Sequence, residues 1–101
     1  MIDLNEHAQK AQKIAWKKKD VDYHTPAILK HCAGEVCVAV EAYNQCLYEN
    51  SQSHRNKLAA ELVNIITCAL IAAANEYIDI EKALKDCQQK NECEQWRGQN
   101  E

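Results

Sequence analysis

Two short spacings in this 101-residue chain join residue types that could do chemistry: Glu35 with Val38, three positions on, and Glu61 with Asn64, again three apart. On a helix a separation of three is nearly a full turn, so the members of each pair share a face. Two carboxylates spaced this way on each of two adjacent antiparallel helices would converge on a hard cation such as Mg²⁺, which takes oxygen ligands and bridges to phosphates. Here each pair holds one carboxylate. Val38 cannot ligate, and Asn64 offers only a neutral carbonyl oxygen. Spacing alone equally fits two solvated or ion-paired carboxylates on helix faces and a hydrogen-bonded amide at Asn64. Glu41, six residues beyond Glu35, lies about a third of the way round the helix and more than one turn along, so it does not replace the missing ligand. His31, one turn before Glu35, could line the same pocket.

Other chemistries have weaker support. The six cysteines, Cys32, Cys37, Cys46, Cys68, Cys87 and Cys93, form no C-x-x-C, and most sit among Ala, Val and Ile, where a free thiol behaves as a small apolar group. No His/Cys set has zinc spacing, and no Cys/His pair is oriented for thiolate catalysis. The formal charge is −3 and the basic run "WKKKD" is isolated, unlike the basic stripe of a nucleic-acid binder. The run "LVNIITCALIAAAN" is shorter than the roughly 20 residues of a membrane span, which predicts a buried core helix and no membrane partner. The polar start "MIDLNEHAQKAQK" does not read as a signal peptide, and the expected location is the reducing cytoplasm, with every thiol free.

The elements that must position Glu35 and Glu61 are helices. Two Gly, one Pro and no Phe leave little turn chemistry, while Ala, Leu, Lys, Glu and Gln favour helix nearly everywhere, so a single all-α domain spanning 1–101 is expected. Asp3 and Glu6 form a capping box for a first helix over 4–18. Thr25 as N-cap and Pro26 as first residue open a second. Its core stripe reads Leu29, Ala33, Val36, Val40, Tyr43 and Leu47, with Glu35 and Val38 off the stripe. A third, roughly 55–75, is apolar round most of its circumference after Leu62 and should be central. Asp79 caps the fourth, with Ile80, Ala83, Leu84 and Cys87 inward and a polar tail ending near Trp96. The third helix has more apolar surface than one small bundle can cover, which predicts a homodimer built around the second and third helices.

Taken together, Trp16 before the first loop, "GEVCVAVEAYN", "AELVNIITCAL" and "IDIEKAL" resemble the MazG-like all-α nucleoside triphosphate pyrophosphohydrolases, whose metal motif is E-x-x-E and, after a spacer like residues 39–60 here, E-x-x-D. The resemblance implies a four-helix bundle that forms a helical dimer or tetramer and cleaves a nucleoside triphosphate between its α and β phosphates with Mg²⁺. It gives Glu35 and Glu61 the first acidic position of each half-motif, as catalytic and metal residues, with Asn64 as a further metal ligand. Val38 and Asn64 fill the second acidic positions. In the last helix it assigns Cys87, Asn91 and Glu94 to positions where the family has a lysine, an asparagine and an arginine facing phosphate; only Asn91 matches. Lys85, Lys90 or Arg97 would substitute in another register. Trp16 would stack on a base. With two carboxylates in place of four, weak Mg²⁺ binding and slow or absent hydrolysis are expected. The alternative is a catalytically dead nucleotide-binding or structural dimer.

Overall fold

A computed structural model describes the backbone of residues 3–18 and 21–100 and the side chains of these residues up to 92. Four helices follow one another: α1 (Leu4–Trp16), α2 (Thr25–Tyr48), α3 (Gln52–Asn75) and α4 (Ile80–Asn100). No strand occurs among the described residues. The fold is all-α, as composition predicts.

The helix ends have local causes. The Asp3 carboxylate accepts from the Glu6 amide at 3.1 Å, and Asp79 accepts from the Lys82 amide at 3.0 Å, each satisfying an amide that has no partner within its helix. Asn5 ties the two starts together, donating to Asp79 at 2.8 Å and accepting from the Ile80 amide at 3.0 Å. α3 begins at Gln52, earlier than the expected 55, because Ser51 caps it by accepting from the His54 amide at 3.2 Å. Thr25 is not the N-cap of α2. His24 holds that position without a side-chain cap, and the Thr25 hydroxyl is buried with no partner. α1 stops at Trp16, with Lys17 as its C-cap, short of the expected residue 18. α3 ends in a Schellman turn: the Ile78 amide bonds Ala73 O at 2.9 Å and the Tyr77 amide bonds Ala74 O at 3.2 Å. Tyr77 adopts the left-handed φ of 56° that glycine usually supplies there.

α3 is the central helix, packed against α2 and α1, while α4 makes its main contact with α1. The antiparallel α2/α3 contact uses small side chains. Ile28, Ala39 and Ala42 are the buried residues of α2, and Cys68, Ile71, Ala72 and Ala73 those of α3. The expected core stripe of α2 is instead exposed: Leu29 55%, Val36 45%, Val40 54%, Tyr43 52% and Leu47 66%. Two apolar seams run along this helix, and the chain covers the one made of smaller residues, where Ala lets the backbones approach. α4 also departs from expectation. Ala83, Leu84 and Cys87 are exposed and Ile80 alone of the four is half-buried, so α4 joins the helical bundle only loosely, through α1, and projects along the rest of its described length. The Cα radius of gyration is 16.6 Å, against about 13 Å for a compact chain of 100 residues.

α3 has 24 residues, and an 18-residue window of it reaches a mean hydropathy of 1.7. By length and composition it could therefore cross a bilayer, and the shortness of its uncharged run does not decide the matter.

Ile28 and Ile71, 3% and 5% exposed, are the largest buried side chains of the cluster joining α1, α2 and α3. Ile28→Ala and Ile71→Ala are each expected to cost about 2–4 kcal/mol in urea unfolding at fixed protein concentration, while Leu84→Ala on projecting α4 costs under about 1 kcal/mol.

Candidate functional site

Glu35 on α2 and Glu61 on α3 meet across the helix pair. Their side chains lie close enough for Glu35 to act on Glu61, and Asn64 acts on Glu61 from one turn along α3. Glu61 is held above the ordinary carboxyl range, first by the Glu35 carboxyl close beside it, then by desolvation and by the charge of Glu35. Asn64 and Lys57 oppose the shift. The Glu35 side chain is 19% exposed, and His31 Nε2 approaches its Oε1 at 3.4 Å from one turn earlier.

Contrary to the stripe expected from sequence, Glu35 thus lies on the face that packs against α3. Val38 sits at the rim, 40% exposed, on a shallow face of α2 with His31, Gly34 and Glu35. Asn64 lines the next groove, a space of about 320 Å³ between α1, α2 and α3 with Ile28 and Ile71 among its apolar walls and Lys18, His31 and Thr67 among its polar ones. A larger cleft of about 470 Å³ lies between α1, the end of α3 and the turn that follows it, lined by Asn5, Gln12 and Asp79 among others; it gathers no comparable pair of acids.

Cys32 and Cys68 flank the carboxyl pair. The Cys68 thiol is pushed up by burial, then by Cys32 and Glu35, which keeps it protonated and a poor nucleophile. Cys32, Cys37, Cys46, Cys68 and Cys87 are free thiols; the Cys93 side chain lies outside the described residues.

The remaining candidates are not gathered here. Asn91 is on α4, where its amide approaches Cys87 Sγ at 3.8 Å, and α4 makes no substantial contact with α2 or α3. Both residues are exposed. The side chains of Glu94, Trp96 and Arg97 lie outside the described residues. Trp16 donates its indole N–H to Asn75 Oδ1 at 3.1 Å and meets the His24 ring edge-on at 4.8 Å. Asn75 is a hub that sequence reasoning missed: it also accepts from Gln12 at 2.8 Å and donates to Tyr23 O at 2.7 Å. A polar residue ending a long apolar run was its only signal. Lys57, four residues before Glu61, was legible from spacing but passed over.

Among the described residues, no group of three or more His, Cys, Asp or Glu side chains is placed to hold a metal ion. Two carboxyl groups, one of them raised by the other, and a neutral amide make a short donor set. This donor set does not fit a resident Mg²⁺, which favours several ionised oxygens. It fits a proton, or a cation that arrives with its own anionic ligands.

The pair has a pH signature. Because folding raises the Glu61 value above the unfolded carboxyl's 4.5, the folded chain binds protons more tightly, and the stabilisation present below that value is lost as pH rises through the folded one. Glu61→Gln is expected to flatten this part of the stability-versus-pH curve. Asp22 and Asp79 act oppositely. Both are lowered, Asp22 chiefly by the His24 amide and Asp79 chiefly by Asn5, and their contribution is lost on acidification below the usual carboxyl range. Chemical unfolding of wild type and Glu61→Gln between pH 4 and 7 separates the two; parallel curves would mean that Glu35 does not raise Glu61.

No protein-family model, no curated protein and no solved structure matches the chain.

Proposed function

We propose that the chain is a MazG-like helical domain acting on nucleoside triphosphates as a cytoplasmic homodimer, with its cation site reduced to the Glu35–Glu61 pair, so that pyrophosphate release is slow. The observation that supports this reading is the meeting of Glu35 and Glu61 across antiparallel α2 and α3, the positions at which the resemblance puts the first carboxylate of each half-motif. Asn64, one turn from Glu61, stands at the second position of its half-motif but brings a neutral amide where the resemblance puts a carboxylate. In this reading a triphosphate would bring Mg²⁺ with it, and the two acids and the Asn64 carbonyl would meet that complex.

A second reading, a nucleotide-binding or structural dimer without catalysis, is favoured by a different observation: among the described residues no group of three or more His, Cys, Asp or Glu is placed to hold a metal ion. Pyrophosphate release from a panel of ribo- and deoxyribonucleoside triphosphates, with Mg²⁺ and with Mn²⁺, tests both. Release that falls in Glu35→Gln and Glu61→Gln supports the first. Saturable nucleotide binding without release supports the second, and neither binding nor release leaves a structural dimer.

A further inference from the structure

The exposed seam of α2 has a property that a generic apolar face lacks. Leu29, Ala33, Val36, Val40, Tyr43 and Leu47 follow one another at spacings of 4, 3, 4, 3 and 4, the alternation of a coiled-coil seam. The order also reads symmetrically about position 38: Leu29 and Leu47 are equidistant from it, as are Ala33 and Tyr43, and Val36 and Val40. The seam contains no charged residue, and every member is exposed.

We propose that a second copy of the chain docks antiparallel along this seam, with the two-fold axis crossing at the level of Val38. The proposal rests on the homodimer inferred above and fixes its register. A two-fold contact requires that if one residue meets another, the second meets the first on the partner. About position 38 the sequence satisfies this with good side-chain matches: Leu29 against the partner's Leu47, Val36 against the partner's Val40, and the small Ala33 against the bulky partner's Tyr43. A parallel pairing would set Tyr43 on the partner's Tyr43 and Ala33 on the partner's Ala33, a crowded layer and an empty one. The seam is about 27 Å long at 1.5 Å per residue, enough for five successive turns.

The area agrees. The chain exposes 8115 Å², whereas a compact monomer of this mass exposes about 5,800 Å². The excess is larger than the roughly 800 Å² that each partner buries in a standard interface, leaving room for the share that belongs to projecting α4. Apolar residues of α3 such as Leu62 and Ile66, 48% and 56% exposed, provide further surface for the partner's helices to cover.

A charge-free swap tests the register. Sedimentation equilibrium is run on wild type, Ala33→Tyr, Tyr43→Ala and the double swap, with far-ultraviolet circular dichroism to separate dissociation from unfolding. Each single variant is expected to weaken the dimer about tenfold or more, one by crowding and one by leaving a void. The double swap restores Tyr against the partner's Ala and should return to within about threefold of wild type. If Ala33→Tyr does not fold, Ala33→Leu alone and with Tyr43→Ala reads the same pairing. A wild-type dimer whose swap is no better than the worse single variant overturns the register while the homodimer stands. Single variants with no effect remove α2 from the interface. A wild-type monomer, including one that instead floats with phosphatidylcholine vesicles, overturns both the register and the homodimer.

Discussion

At tens of micromolar the wild-type protein is expected to sediment at twice the 11.5 kDa of one chain, and Val40→Glu at the mass of a monomer. Val40 is 54% exposed in the single chain, so the substitution disturbs little that folding itself buries. In a two-fold dimer, however, the new carboxylate is introduced twice, desolvated both times against apolar side chains with no partner in reach. Burying an unpaired charge is among the most costly changes an interface can suffer. The same variant should lose the concentration dependence of thermal stability that association confers on wild type. A dimer that tolerates Val40→Glu would show that the exposed stripe of α2 is not the surface through which copies meet.

The stripe also shows how far the sequence could be read. Its periodicity marks an apolar face of α2, yet periodicity does not say whether this chain covers it, and here the chain leaves it exposed. α2 carries a second seam at the same spacing, through Ile28, Cys32, Glu35, Ala39, Ala42 and Cys46, and α3 packs on that one. Its Ala residues permit a close approach that larger side chains would prevent, so the less hydrophobic face won. Glu35 was therefore expected off the core and is found at the α2/α3 contact, where it reaches Glu61. The meeting of these two acids was legible because it depends on helix spacing and an antiparallel connection, both local. The course of α4 was not, because its few apolar residues at the start of a polar helix do not fix where it leans. Asn5, Asp79 and Asn75 settle the junctions through side-chain bonds between residues 52 to 75 positions apart, and pattern reading along a chain does not see such pairings.

The largest effect on the site is expected from restoring its charge. Val38 lies one turn from Glu35 and Asn64 one turn from Glu61, close enough to act on its carboxyl. Val38→Glu with Asn64→Asp would add two carboxylates to a pair in which Glu35 already raises Glu61. Without metal the four acids repel one another, which raises their protonation and lowers stability. A divalent cation removes that cost, so the variant should be less stable than wild type in chelator and gain stability with millimolar Mg²⁺, as linkage requires when a ligand binds only the folded state. Wild type should respond little, since its two acids and one amide offer too few ionised oxygens to replace the water of Mg²⁺. Val38→Glu alone and Asn64→Asp alone should fall between the two. Hydrolysis need not follow metal binding in the double variant, because phosphate must also be held.

Titration calorimetry of Mg²⁺ into wild type and into Val38→Glu/Asn64→Asp therefore bears most directly on the claim that residues 35, 38, 61 and 64 surround one site. The expected result is weak or undetectable heat with wild type and binding at least about tenfold tighter with the double variant, lost again when Glu61→Gln is added. Equal, negligible binding by wild type and a folded double variant would contradict it, and would mean that these four positions do not converge on a common cation.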